Sequence, residues 1–275
     1  MPEGDTIYRA AATLHRALAG HQVVRFESVF PALTRVHDDH PLTAMTVEQV
    51  RSAGKHLLIH FSGGFVLRTH MRMNGSWHIY RPGERWRRSA RDMRVLVATA
   101  EFVAVGFNIP VAEFVKATEL DRHAPVASLG PDALAADFNC EEALRRIRSR
   151  PASLIADALL NQRLLAGLGN VLKTEVLFAC GVNPFVRVAD LDDDTLAQLV
   201  ETGRRLLQEN VTGASSGLLT DKKVRRTTGR DNPAEGLWVY GRAGLPCRRC
   251  GTAIAVKKHG LDARLTYWCP TCQTS

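Results

Sequence analysis

The 275-residue sequence has no uninterrupted apolar run of the about 20 residues that a membrane-spanning helix takes. Its start lacks the basic-then-apolar succession of a secretory signal, and no basic amphipathic stretch stands out as a surface anchor. Internal repeats and low-complexity tracts are missing as well. These absences argue against a helical membrane protein and a repeat array, and they set a cytoplasmic location as the expectation. Acidic residues are in short supply: 28 Asp and Glu stand against 36 Lys and Arg, a formal net charge of +8. Clustered cations gain affinity for phosphates by releasing counterions, so the charge favours a polyanionic partner, with nucleic acid ahead of a membrane.

Cysteine is sparse and unevenly placed. Cys140 and Cys180 stand alone at the edges of helical patterns, while Cys247, Cys250, Cys269 and Cys272 form two C-x-x-C pairs separated by 18 residues. In a reducing compartment that arrangement points to metal and not to disulfides. Each pair presents two sulfurs to one tetrahedral ion, so the expected cofactor is one structural zinc; four thiolates leave no open position for a catalytic water. The hairpin between the pairs carries Lys257, Lys258, His259 and Arg264, which read as phosphate contacts ahead of a plain solvated surface.

With 45% hydrophobic residues the chain can bury a real core, and its length allows two domains or one large one. Asp5 can cap a first helix whose apolar positions are Ile7, Ala11, Leu14 and Leu18 and which ends at Gly20. From Val23 to about Phe107 the sequence reads as strands. Leu57 to Phe61 and Phe65 to Leu67, joined by Ser62-Gly63-Gly64, predict a buried hairpin, and Val95 to Ala98 with Phe102 to Val105 predict another. After Ser128-Leu129-Gly130-Pro131 the pattern turns helical, over Glu141 to Ile147, Ser153 to Leu165, Asn170 to Cys180 and Thr195 to Glu209. Val211 to Gly236 reads as a long loop.

Several residues are candidates for chemistry, each with a plain structural reading beside it; the Met-Pro start is common and taken alone favours the plain one. Loss of Met1 would leave Pro2 with a free secondary amine next to the carboxyl group of Glu3. An α-amino group titrates near pH 8, so a useful fraction is neutral and able to attack an electrophilic carbon such as a sugar C1′. The segment Asn161 to Asn170 has the form helix, two-glycine turn, helix, and the second helix N-terminus can grip phosphate with the Asn170 amide as a further donor; a plain αα-corner without a ligand is an equal reading of the segment alone. Lys55 opens the most apolar strand, a position where a lysine is usually just a solvated end. The turn His70-Met71-Arg72-Met73-Asn74-Gly75 offers residues able to fill a gap in a base stack; core packing is the stronger reading for Met71 and an equal one for Met73. The run Arg81, Arg85, Arg87, Arg88, Arg91 and Arg94 is equally compatible with DNA contact and with a solvated loop.

Pro-Glu-Gly at the start, Gly-Lys-His-Leu-Leu around Lys55, Gly-Leu-Gly-Asn at the helix turn, and the four-cysteine module with Arg264 five residues before Cys269 occur in one chain and in this order. Together they resemble the formamidopyrimidine-DNA glycosylase and endonuclease VIII family of base-excision repair enzymes, over nearly the whole chain. The resemblance implies an α+β multidomain fold: an N-terminal β-sandwich with a flanking helix over 1–125, a helix-two-turn-helix domain with a long loop over 126–236, and a zinc finger over 237–275. It implies a monomer acting on damaged DNA in the nucleoid. By the same resemblance, Pro2 is the nucleophile at C1′ and Glu3 the proton shuttle that opens the sugar. Lys55 contacts a phosphate and assists β-elimination, Asn170 holds another phosphate, and Arg264 grips the backbone and assists δ-elimination. The Pro-Glu-Gly-Asp-Thr start is similar to the endonuclease VIII branch, which favours oxidised pyrimidines. Where the best-known endonuclease VIII has a Gln-Leu-Tyr wedge, His70 is followed by Met71-Arg72-Met73, which leaves Arg72 and Met73 as candidates to fill the space of the flipped base.

Two other readings fit parts of the chain. One is a non-catalytic zinc-ribbon nucleic-acid-binding protein on the same scaffold. The other is an RNA-binding module, which gives no role to the Pro2-Glu3 pair.

Overall fold

The computed structural model describes residues 2–211, 225–260 and 263–274. These fall into two compact units that divide between Ser128 and Leu129. The chain order in the first is α1 (Gly4–Leu18), β1 (Arg25–Ser28), α2 (Pro31–Asp39), β2 (Val47–Ala53), β3 (His56–Phe61), β4 (Phe65–His70), β5 (Ser76–Tyr80), β6 (Met93–Ala98), β7 (Val103–Phe107), β8 (Val111–Lys116) and the short α3 (Ala124–Ala127). Two four-stranded antiparallel sheets, ordered β1-β6-β7-β5 and β2-β3-β4-β8, face each other across one apolar core. Leu57, Ile59, Phe61 and Leu67 enter it from one sheet, and Phe26, Trp77, Val95 and Val97 from the other. β3 is buried on both faces, because Leu58 packs outward with Val66, Val115 and Leu120.

The predicted hairpins are present as β3–β4 and β6–β7. α1 buries Ile7, Ala11, Leu14 and Leu18 as its periodicity requires. Its cap differs from expectation: Glu3 holds the N-cap position, its carbonyl accepting from the Thr6 and Ile7 amides, while Asp5 lies in the first turn, wholly buried. The stretch read as strands also contains a helix, α2, started by Pro31 at its first position, where the missing N–H costs nothing.

Two anchor points fix α1 along β2. The Gly20 amide donates to the Val47 carbonyl, and the Val50 amide donates to His15 Nδ1. From His15 back to Glu3 the helix rises about 18 Å, and from Val50 on to Lys55 the strand advances about 17 Å, so both arrive at the same end of the sandwich. The crossings from β4 to β5 and from β7 to β8 share that end, since His70 pairs with Val111 and Ser76 with Phe107.

The second unit contains α4 (Cys140–Arg148), α5 (Ile155–Leu160), α6 (Asn170–Ala179), α7 (Asp193–Val211) and the hairpin β9 (Ala255–His259) with β10 (Arg264–Trp268). Ile147, Ile155, Leu159, Leu172, Val176, Leu199 and Leu206 share its core. The helix expected over Ser153 to Leu165 stops at Leu160. The Gln162 side chain folds over the turn, donating to the Leu160 and Leu168 carbonyls and accepting from the Gly167 amide, with Gly167 at φ 103. Of the loop expected over Val211 to Gly236, residues 212–224 lie outside the described residues, and 225–236 contains one 3-10 turn, Pro233–Glu235.

Candidate functional site

Pro2 is half-buried immediately ahead of α1, and Glu3 is fully buried at its N-cap. The exposed amides of a helix start favour a carboxylate there. Lys55 and Gly54 form the two-residue turn between β2 and β3, with Gly54 at φ 55, a left-handed conformation that suits glycine. The register places Lys55 beside the pair His56–His70.

The turn after β4 separates its residues by exposure. Met71 is 2% exposed and belongs to the sandwich core, whereas Met73 is 58% exposed and Arg72 is exposed at φ 48. The turn closes through the Gly75 amide on the Met71 carbonyl, so tightly that a β-carbon at Gly75 would lie 2.5 Å from that oxygen. The Arg72 amide donates to His70 Nδ1. A hydrogen-bonded backbone curl thus presents Arg72 and Met73 outward at the end reached by Pro2 and Lys55.

Behind it lies a polar chain, buried at Arg68 and His56 and half-buried at Glu113 and His123, that the sequence did not reveal. Arg68, 5% exposed, donates through Nε to Glu113 at 2.5 Å and through Nη1 to His56 Nδ1 at 2.8 Å, and His123 Nε2 also meets Glu113, at 2.6 Å. Because a guanidinium only donates, His56 Nδ1 carries no proton. Burial, then the neighbouring His70 and Arg68, lowers the His56 pKa to about 3; burial, then Arg72 and Lys55, lowers that of His70 to about 4. Both rings are neutral at physiological pH.

In the second unit, Asn170 is the first residue of α6 and 4% exposed. Its Nδ2 donates to the Leu265 carbonyl on β10, and its Oδ1 accepts from Lys173 Nζ, which also donates to Thr266 Oγ1. A lysine cannot accept, so the amide orientation is fixed. Glu175, on the same helix, accepts from the amides of Trp238, Val239 and Tyr240 and from the Thr227 hydroxyl. α6 therefore grips both the segment leading into the zinc module and the strand that starts at Arg264, which is half-buried. Lys173 and Glu175 escaped the sequence reading; the available signal was that apolar residues lie on every side of α6, so the helix is buried all round and its charges with it.

The four cysteine sulfurs lie within 4.8 Å of one another, with Cys247 to Cys272 at 3.9 Å and Cys250 to Cys269 at 3.4 Å. Tetrahedral zinc with bonds of about 2.3 Å requires sulfurs about 3.8 Å apart, so the cage fits the ion. The Cys269 knuckle is tied to the helices by Gln273, which accepts from the Cys269 amide and donates to the Val182 carbonyl. Cys247, Cys269 and Ile254 pack with Phe178, and the Arg249 guanidinium lies 4.4 Å from the Phe178 ring centroid. In the hairpin, Lys257 and Lys258 are exposed, while His259 Nε2 is 3.3 Å from Asp157.

Residues 1–108 match the formamidopyrimidine-DNA glycosylase N-terminal domain, residues 129–221 the formamidopyrimidine-DNA glycosylase H2TH domain, and residues 244–274 the zinc finger found in FPG and IleRS. The chain is 43% identical to a probable endonuclease 8 2 of Streptomyces coelicolor, over 99% of this chain and 94% of that protein. It is 36% identical to the DNA-(apurinic or apyrimidinic site) lyase Nei2 of Mycolicibacterium smegmatis over the whole of both. It is also 32% identical to an endonuclease 8 of Escherichia coli, over 99% of this chain and all of that one. Among solved structures, that of Lactococcus lactis formamidopyrimidine DNA glycosylase bound non-covalently to DNA with an AP site has the same fold, with a TM-score of 0.82, full coverage of both chains and 23% identity. An N-terminal sandwich, a helix-two-turn-helix core, a four-thiolate zinc finger and full-length relatives above 30% identity agree: the chain belongs to the formamidopyrimidine-DNA glycosylase and endonuclease VIII family.

Proposed function

We propose that this chain is a bifunctional DNA glycosylase and AP lyase of base-excision repair, acting as a monomer through Pro2 and preferring oxidised pyrimidines. The observation that carries the chemistry is the convergence of Pro2, the buried Glu3 and Lys55 at one end of the sandwich, in a chain whose full-length relatives are named endonuclease 8 and AP-site lyase.

The flipped nucleotide exposes its C1′. The neutral Pro2 amine attacks C1′, the glycosidic bond breaks, and the base leaves carrying a proton. Glu3 delivers a proton to the ring oxygen as the sugar opens, which leaves an iminium between Pro2 and C1′. Removal of a C2′ proton then expels the 3′ phosphate, and a second elimination expels the 5′ phosphate. Lys55 neutralises a phosphate beside the lesion and supports the first elimination; Asn170 and Arg264 hold phosphates, and Arg264 supports the second. Arg72 and Met73 fill the vacated stack. Zinc is structural and serves the hairpin that carries Arg264.

Duplexes carrying an oxidised pyrimidine, 8-oxoguanine or an abasic site test the reading. It expects strand cleavage that leaves phosphate on both ends, fastest for the oxidised pyrimidine among the damaged bases. Intact protein lacking Met1 that cleaves none of them overturns it.

A further inference from the structure

The connection from β5 to β6 crosses the outer face of its sheet and carries Arg81, Arg85, Arg87, Arg88 and Arg91. It is fixed along its length. Trp86 packs edge-on to Phe107 with centroids 5.7 Å apart, the Tyr80 hydroxyl accepts from the Arg87 amide, and Glu84 accepts from the Arg81 amide. Arg81 lies 4.2 Å from the Phe102 ring centroid, and Arg94 donates to the Arg91 and Met93 carbonyls. Arg85, Arg87 and Arg91 are exposed and Arg88 half-buried, and among the described residues none of the four is in an ion pair. Like charges on an ordered loop repel one another without a counter-charge.

The loop leaves Tyr80 at the far end of the sheet, where Tyr80 pairs with Val103, and the register fixes where its Arg91 end returns. Met93 pairs with Phe107, which also pairs with Ser76, and the Asn108 amide donates to the Asp92 carbonyl. The loop therefore returns at the end of the sandwich where the turn presents Arg72 and Met73. We propose that this arginine loop is a second DNA-backbone surface of the first unit, taking phosphates of the duplex that flanks the lesion. The guanidinium fork suits phosphate oxygens, and a preordered loop loses little freedom on binding them. The inference rests on the reading of the chain as a DNA-repair enzyme, and its test separates the two.

Binding of full-length protein to a duplex with a tetrahydrofuran abasic analogue is measured against salt for wild type, R85Q/R87Q/R91Q and R85K/R87K/R91K. Each lost phosphate contact makes the slope of log affinity on log salt shallower by about 0.9, so the Gln variant is expected to be shallower by up to about 2.7 and weaker on the order of 100-fold. The Lys variant keeps the charge and is expected to bind nearly as wild type. A Gln variant with unchanged slope and affinity overturns the proposal, and so does a Lys variant as weak as the Gln one, which would mark the loop as structural. Strand cleavage by wild type is scored separately on a duplex with a natural abasic site, because tetrahydrofuran offers Pro2 no reactive C1′: its absence beside the expected slopes supports the surface and contradicts the enzymatic reading.

Discussion

In the first unit the candidate groups stand at the margin of an apolar sandwich, in segments outside its strands: Pro2 ahead of α1, Lys55 in a turn, Arg72 and Met73 on a backbone curl. In the second they are tied into buried polar contacts, where Lys173 fixes Asn170, Glu175 gathers three amides and Gln273 ties the zinc knuckle to the helices. The difference teaches how each unit keeps its geometry. Two apolar sheets specify themselves by pattern and can leave their turns free for chemistry. A small hairpin with few apolar residues needs a metal and buried hydrogen bonds to hold one position.

The sharpest way to break this comparison is to remove the zinc. A structural zinc site contributes about 10–16 kcal/mol of apparent binding energy, so chelation or Cys269→Ala is expected to abolish hydrogen-exchange protection over 238–272 and leave β3 and β4 protected. Loss of protection in both units would show that they do not hold their geometry independently.

Next in size is Glu175→Ala, which leaves the Trp238, Val239 and Tyr240 amides without their carboxylate. Breaking such a buried charged network costs about 3 kcal/mol, read as a lower urea midpoint with unchanged slope. A shift below about 1 kcal/mol would mean that packing, and not this network, holds the module.

An effect confined to acid pH probes the polar chain of the first unit. His56 and His70 have pKa values near 3 and 4, below the ordinary histidine value. Below pH 6.5 the unfolded chain takes up protons that the folded chain refuses, so stability is full above that pH and falls toward pH 4. Each histidine contributes a slope of at most about 1.4 kcal/mol per pH unit. His56→Asn is expected to flatten the thermal-melting profile between pH 6.5 and 4; an unchanged profile would show that the ring is not held neutral.

Gly75→Ala should have the mildest effect. Its β-carbon meets the Met71 carbonyl, and overpacking of this kind costs about 1–3 kcal/mol. The expected outcome is a lower melting temperature with weaker binding to abasic duplex, and an unperturbed variant would show that the curl has room to relax.

The β3–β4 hairpin was legible because apolar runs flank a Ser-Gly-Gly turn, and the zinc module because thiolate spacing is a short-range signal. α2 was not, since its nine residues bury only Leu33 and leave no apolar stripe. The early end of α5 depends on Gln162 reaching carbonyls on both sides of a turn, which no periodicity encodes. Arg68, His56 and Glu113 meet only once β3, β4 and β8 are in register, so their chain is written in pairings far apart in sequence.

The central claim is the covalent step at Pro2. Protein lacking Met1 is incubated with an abasic duplex in borohydride, digested, and the adduct located by peptide mass spectrometry. The account predicts a reduced sugar adduct on the nitrogen of Pro2 in the peptide that begins Pro2-Glu3-Gly4. An absent adduct, or one carried by a lysine such as Lys55, contradicts it.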